Sequence, residues 1–300
     1  MTIKTPTQEW ITRRERGSLN LLTHSVQIAL WMGRPVSRIL LYPICLYFLI
    51  SSPAATRSSY QYLARVLGRP PRVRDVFRHF LTFASCVLDR VFLLNERCDE
   101  YDIHVQGEDI VREIAETGGG CILVGAHFGS FEVTRAIGRQ QPDVQISLLM
   151  YEENAKKIRA ALAAINPRLE TEVIGLGPLD SLITVAERLF AGHFIGVLAD
   201  RSVNGKNLAQ YNFLGSMAAF PTGPFKIAML LHAPVVLMIG VYRGGRRYDV
   251  IFERIAKPAP SERHDGALWM DRTMRQYVDR LEHYCRDAPF NWFNFFNFWD

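Results

Sequence analysis

Apolar residues follow two contrasting patterns along the chain. Near its start they form long stretches without charge, and after about residue 105 they form short blocks separated by polar segments of helical period. Residues 19–33 are uncharged if His24 is neutral; Arg34, Pro35 and Arg38 interrupt, and a second uncharged stretch follows at 39–56. Its apolar heart, 39–50, reaches only ~18 Å as a helix, short of a ~30 Å hydrocarbon core. Pro43 weakens a straight helix there. The pattern predicts two short apolar helices that dip into one leaflet. A true span using most of 39–56, or a helical hairpin buried in a soluble domain, would read similarly. A further helix is predicted around 76–94, with Phe77, Phe80, Leu81, Ala84, Leu88 and Val91 at helical spacing. His79 lies on it, and a lone His among helical aromatics reads as structural.

Downstream the blocks alternate. Residues 121–126 (CILVGA) and 194–199 (FIGVLA) are continuous apolar runs, as expected of strands buried on both faces. Strands are also predicted at 145–150, 172–174, 235–242 and 248–255, the last two joined through Gly244-Gly245 as a hairpin. Helices are predicted at 107–117, after His127 to about Gln140, and at 154–164, 181–191 (capped by Asp180), 223–231 and 262–286. Alternation of this kind implies an α/β fold with a mostly parallel sheet flanked by helices. The division is an N-terminal basic, apolar, membrane-associating region at 1–75 and an α/β domain at 76–300.

Composition changes this picture in one respect. Residues 1–80 hold 12 Lys/Arg against 3 Asp/Glu, while the remaining 220 hold 23 against 27. Cations interleaved with apolar runs favour an anionic membrane surface over nucleic acid, with Arg13, Arg14, Arg16, Arg34, Arg38 and Arg57 expected at the headgroups. No secretory signal is read at the start. Five scattered cysteines without C-x-x-C spacing argue against a disulfide framework or zinc site and fit a reducing compartment.

The candidate chemistry sits at His127-Phe-Gly-Ser-Phe-Glu132. Ligands bind at the carboxyl ends of strands in open α/β sheets, and His127 directly follows a buried strand. Gly129 allows a tight turn. A carboxylate that fixes the imidazole tautomer makes a His a working base. Glu132 can meet His127 only if the His sits in the turn and Glu132 on the first turn of the helix after it. Otherwise His127 is a loop residue and Glu132 an acid at a helix N-terminus. Ser130 is a conceivable acyl nucleophile. Asp200 and Arg201 end a buried strand, as a structural pair or as holders of a phosphate or oxyanion. Gly118-Gly119-Gly120 precedes a strand and is no phosphate loop, G-x-S-x-G is absent, and no two His have metal-ligand spacing. The tail 290–299 has seven aromatics in ten residues, with Asn291, Asn294 and Asn297 between them. It reads as a packed cover, an acyl-chain wall or an interfacial aromatic belt.

The run G-A-H-F-G-S-F-E resembles the H-x4-D/E block of the lysophospholipid acyltransferase superfamily, and more closely the bacterial lipid A biosynthesis (lauroyl/myristoyl) branch. Other blocks agree in order: Tyr151-Glu-Glu-Asn154, Gly196-Val-Leu-Ala-Asp200-Arg201, Phe213-Leu-Gly215, Phe220-Pro-Thr222-Gly223 and Ala233-Pro-Val-Val236. Asp200-Arg201 stands where that branch usually has Asp-Gln, and the ending N-W-F-N-F-F-N-F-W-D looks like predicted acyltransferases of aryl polyene-type pigment clusters. The resemblance implies a glycerolipid acyltransferase-like fold. It also implies transfer of an acyl group from acyl-carrier protein or acyl-CoA to a hydroxyl or amine at the cytoplasmic face of the inner membrane, on a lipid or pigment-type acceptor. His127 would be the base and Glu132 its partner, with the backbone after His127 and Arg201 as oxyanion donors. Gly129, Ser130, Tyr151, Asn154, Asp200, Arg201, Phe213, Gly215, Thr222 and Gly223 would bind substrate. No metal, no bound cofactor and no nucleic acid are expected. A non-catalytic lipid-binding or scaffold protein on the same fold is the alternative, and intact His127 and Glu132 argue against it.

Overall fold

The computed structural model describes residues 19–133, 145–166, 173–176, 180–202, 205–260 and 263–299. Arg13, Arg14, Arg16, Glu172 and all but the first turn of the helix expected after His127 lie outside the described residues.

The N-terminal apolar stretches form α1 (Leu19–Ser51), one helical run of 33 residues broken at Gly33, where φ is 75° and ψ 162°. That positive φ suits glycine and strains any residue with a Cβ. The helix resumes at once with Pro35 in its first turn, where a missing N–H is tolerated. Two helical halves were expected, but the break is Gly33 alone. Arg34 and Arg38 belong to the second half. Val26, Arg34, Ser37, Leu41 and Cys45 form a buried stripe at spacings of three to eight residues, which is one helix face. The opposite face carries Trp31, Ile39 and Ile50 at 87%, 67% and 74% exposure, together with Tyr42 and Leu46.

The buried stripe corrects the placing of Arg34 at the headgroups. Arg34 is 4% exposed. Its Nε and Nη2 donate to the two carboxylate oxygens of Asp89 at 2.6 and 2.9 Å. The Tyr101 and Tyr248 hydroxyls donate to the same carboxylate at 3.1 and 2.7 Å. Arg34 also reaches the Gly245 carbonyl, and Arg38 donates to that oxygen at 3.0 Å. Both cations therefore bind α1 to the rest of the molecule. Arg57 stays exposed.

Next come α2 (Pro53–Leu67) and α3 (Val73–Leu93). Helix α2 was not expected, because arginines interleave with its buried positions Ser58, Ser59, Tyr62, Leu63 and Val66. The remainder runs β1 (Asp102–Gln106), α4 (Glu108–Glu116), β2 (Cys121–Gly125), β3 (Ile146–Tyr151), α5 (Glu152–Ile165), β4 (Val173–Leu176), α6 (Asp180–Phe190) and β5 (Phe194–Leu198). It continues with β6 (Leu208–Phe213), β7 (Ser216–Pro221), α7 (Gly223–Leu230), β8 (Val235–Gly244), β9 (Arg247–Ala256) and α8 (Arg263–Asp287).

Seven strands form one sheet in the order β1-β9-β8-β2-β5-β3-β4, parallel at every pairing except the β8–β9 hairpin. The α/β, mostly parallel architecture is thus as expected. The short strand β1 and the separate β6–β7 hairpin were not foreseen. Every residue of β2 is buried. Ile122 and Val124 join a core with α2, α8 and the C-terminal tail, while Cys121 and Leu123 join one with α3, α4 and α5. Helix α3 serves both cores, through Val76 and Phe80 in its first half and Phe92 and Leu93 in its second.

Candidate active site

Strands β2 and β5 are parallel neighbours, and Gly125 lies opposite Leu198. Two residues beyond each of these come His127 and Asp200, so the register brings both side chains to one carboxyl edge. His127 Nδ1 lies 2.8 Å from Asp200 Oδ1, and the His127 backbone N–H donates to Oδ2 at 3.2 Å. Asp200 is fully buried, whereas the His127 side chain keeps 38% of its exposure. An ionised carboxylate only accepts, so the imidazole carries its proton on Nδ1 and presents Nε2 with a free lone pair.

This geometry corrects the expected pairing of His127 with Glu132. Residues 131–133 do open a helix directly after the turn. From there Glu132 turns to α3 and pairs with Arg90 Nε at 2.8 Å. The carboxylate against His127 is supplied by the adjacent strand, because parallel register, unlike helical spacing, brings two strand-end residues face to face.

The turn itself is fixed by main-chain bonds. The N–H groups of Phe128, Gly129 and Ser130 donate to the carbonyls of Ala126, Asn291 and Gly240 at 2.6, 2.8 and 2.8 Å. Gly129 has φ +55°, and a Cβ there would sit 1.8 Å from the Gly240 carbonyl oxygen, so only glycine fits. The expectation that backbone after His127 forms an oxyanion hole does not hold for these three amides, since each is already engaged. Ser130 is 2% exposed, and its Oγ has no hydrogen-bond partner among the described residues. A hydroxyl so enclosed is poorly placed for a nucleophile.

The C-terminal tail closes the site from behind. Phe293 N–H donates to the His127 carbonyl at 2.8 Å, and the Trp292 indole N–H donates to Asp200 Oδ2 at 3.1 Å. Arg201 donates from Nη2 to the Phe293 carbonyl at 2.5 Å and lies 4.9 Å from the centre of the Phe296 ring. Its Nε is 3.6 Å from Asp200 Oδ2 and has no hydrogen-bond partner among the described residues. The tail is thus a packed wall, with Trp292 fully buried and Asn291 bonded to both backbone groups of Tyr242.

Electrostatics suit a base. Burial and the nearby Arg201 push the His127 imidazolium below the usual histidine range, against the pull of Asp200. Burial alone would raise the Asp200 carboxyl; His127, Arg201 and the Trp292 N–H together hold it below the ordinary carboxylate range. Neutral His127 beside an ionised Asp200 is the resulting state at neutral pH.

Of the residues expected to bind substrate, Gly129, Ser130, Asp200 and Arg201 gather here with His127. Phe213 and Gly215 do not: Leu214 and Gly215, with φ 50° and 80°, make the two-residue turn of the β6–β7 hairpin. Phe213 packs against the Trp292 ring, with centroids 5.2 Å apart. Thr222 and Gly223 form the entry to α7, where Thr222 bonds the Asn207 carbonyl through its N–H and its hydroxyl. Tyr151 ends β3 and Asn154 lies on α5; their side chains lie outside the described residues. Sequence reading missed Arg90 and Trp292. Asp200 as partner of His127 was legible in principle, since each follows a buried strand.

Among the described residues no three His, Cys, Asp or Glu side chains gather as a metal site. No curated protein matched the chain. A family model described as bacterial lipid A biosynthesis acyltransferase matches residues 78–300, the span holding the dyad, the strand ends that carry it and the tail behind it. The chain therefore belongs to the bacterial lipid A biosynthesis acyltransferase family and is an acyltransferase.

Proposed function

We propose that the protein moves an acyl group from a thioester of acyl-carrier protein or CoA to a hydroxyl or amine of a lipid or pigment-type acceptor. The observation that carries this is the His127–Asp200 pair, with Nε2 free at the carboxyl edge of the sheet. Nε2 takes the acceptor's proton while the acceptor oxygen or nitrogen bonds to the thioester carbonyl carbon. Asp200 stabilises the imidazolium so formed. The tetrahedral intermediate then collapses with cleavage of the C–S bond, and the leaving thiolate recovers the proton from Nε2. Arg201, which follows Asp200 at the same strand edge, supplies positive charge beside the dyad for the developing oxyanion. No metal or bound cofactor is needed for these steps.

Incubating the purified protein with lauroyl-acyl-carrier protein or lauroyl-CoA and total membrane lipids tests the reaction. Mass spectrometry should show an acylated product matched by a species that accumulates in cells with the protein and is missing without it. Consumption of neither donor, with no lipid difference between the cells, would refute it.

Arg201→Gln should lower turnover by ~10²–10³-fold, the usual cost of losing one oxyanion donor. It should also move the acid limb of the rate profile to higher pH. The sign follows from the cation: Arg201 disfavours the imidazolium, so its removal makes His127 more basic and leaves it protonated to a higher pH. An unchanged profile would show that Arg201 does not act on His127.

Lipid A acyltransferases are membrane-associated, and Thr23–Ser51 is long and apolar enough to cross a bilayer. A reading in which α1 lies on the inner membrane's cytoplasmic face, dipping rather than spanning, is supported by Arg34 and Arg38. They bind the middle of the helix to the α/β core and leave only its outer face free. Ile39→Asp combined with Ile50→Asp should release the protein from phosphatidylglycerol-containing vesicles, because both side chains lie on that exposed face. Unchanged vesicle binding would reject this orientation.

A further inference from the structure

We propose that Trp292 is a positioning residue: its indole N–H holds one oxygen of Asp200 so that the other stays aligned on His127 Nδ1. The C-terminal tail thereby becomes part of the machinery that sets the basicity of His127. The inference rests on His127 being the catalytic base.

Three independent constraints hold the indole in place. Its ring is fully buried and meets Tyr62, Phe213 and Phe298 edge-on, with centroids 5.0, 5.2 and 4.8 Å apart. Its backbone bridges to Phe128, and the next residue's N–H donates to the His127 carbonyl. Its own carbonyl lies 2.9 Å from His79 Nε2. A carbonyl only accepts, so His79 carries its proton on Nε2, and Nδ1 accepts from the Ser59 hydroxyl at 2.8 Å. Burial pushes the His79 imidazolium down to about 4, which keeps this tautomer through neutral pH. The same tail segment that fixes the indole therefore also fixes the turn carrying the base.

The groups facing the dyad can be named from each element around it. Arg90 and Glu132 pair with each other on α3 and the helix after the turn, and Arg201 follows Asp200. The Tyr277 hydroxyl and Cys285 thiol on α8 are neutral and fully buried, and burial raises both. Among the described residues, Asp200 takes its side-chain hydrogen bonds from His127 and Trp292. Loss of the indole N–H leaves the carboxylate charge less dispersed. The imidazolium of His127 then becomes more stable, and the ring titrates at higher pH. Asp200→Asn removes the charge and moves the same titration the other way.

The test uses full-length protein in detergent. Trp292→Phe keeps an aromatic ring and deletes the donor along with the rest of the indole's five-membered ring. The His127 ring, followed by its ¹³C signal, should titrate at higher pH than in the wild type, and at lower pH in Asp200→Asn. Turnover with lauroyl-CoA and membrane lipids should fall about ten-fold in Trp292→Phe, the scale of one charge-assisted hydrogen bond. A purely structural tryptophan would lower the melting temperature and leave the His127 titration unmoved, which overturns the proposal. Should Trp292→Phe not fold, the wild-type indole ¹H–¹⁵N signal of Trp292 decides. It should move upfield in Asp200→Asn while the Trp31, Trp269 and Trp299 signals stay, and no movement refutes the hydrogen bond. Both spectroscopic readouts are independent of turnover. Wild-type turnover in His127→Ala would instead sink the catalytic reading itself.

Discussion

His127→Ala should reduce acyl transfer by ~10²–10⁴-fold, the contribution of a positioned general base. The side chain is more than a third exposed, so little packing is lost, and the circular dichroism spectrum and melting temperature should stay near wild type. Asp200→Asn should lose at least ~10²-fold, because the imidazolium formed on proton uptake no longer meets a negative charge. Since the two residues act as a unit, the double variant should be no slower than His127→Ala alone. Glu132→Ala acts by a different route. It strips Arg90 of its partner, and an unmatched cation near His127 moves the acid limb of the profile to lower pH. Initial rates across pH 5–8 for the four variants separate these routes. A folded His127→Ala protein with wild-type rates would end the general-base mechanism.

Arg34→Ala should destabilise the protein by ~3–5 kcal/mol, because it leaves the fully buried Asp89 carboxylate without its cation. The Tyr101 and Tyr248 hydroxyls still donate to that carboxylate but cannot neutralise it. For a chain of this size the loss corresponds to a fall of roughly 10 °C in melting temperature. Replacing both partners, Arg34→Met with Asp89→Leu, should recover most of the loss, since no uncompensated charge remains. Melts in one detergent measure both variants. A wild-type melt for Arg34→Ala would mean that α1 does not rest on the α/β core, and with it would go the reading of a helix held flat.

The parts of the fold legible in the sequence share a physical reason. Strands such as 121–126 and 194–199 are buried on both faces, so nearly every position must be apolar, and no partner need be known to see it. The β8–β9 hairpin announces itself through two glycines, and the long closing helix through its period. Elements missed are those whose burial is partial or whose polar residues find distant partners. Strand β1 reads Asp-Ile-His-Val-Gln, an alternation too short to stand out, and it is placed by pairing with β9. In α2, buried Ser58 and Ser59 broke the apolar pattern; Ser59 is satisfied by His79, twenty residues away.

The turn after β2 shows the same division at single-residue scale. A His directly after a buried strand, with glycine to turn the chain, fixes which side chain emerges at the carboxyl edge of the sheet, and the sequence alone determined that. Which carboxylate meets it is a matter of parallel register, and register is decided by how whole strands pack. Asp200 is 73 residues from His127, while Glu132, five residues away, turns to Arg90 instead. Whether an arginine faces lipid or an internal carboxylate is likewise invisible in a run of apolar residues. Arg34 and Ile39 look equally exposed along the chain, yet one is 4% and the other 67% exposed. Burial of hydrocarbon depends on residue type, which a sequence states outright. Pairing of charges and hydrogen bonds depends on distances of about 3 Å between residues far apart in the chain, and only the packed tertiary structure fixes those.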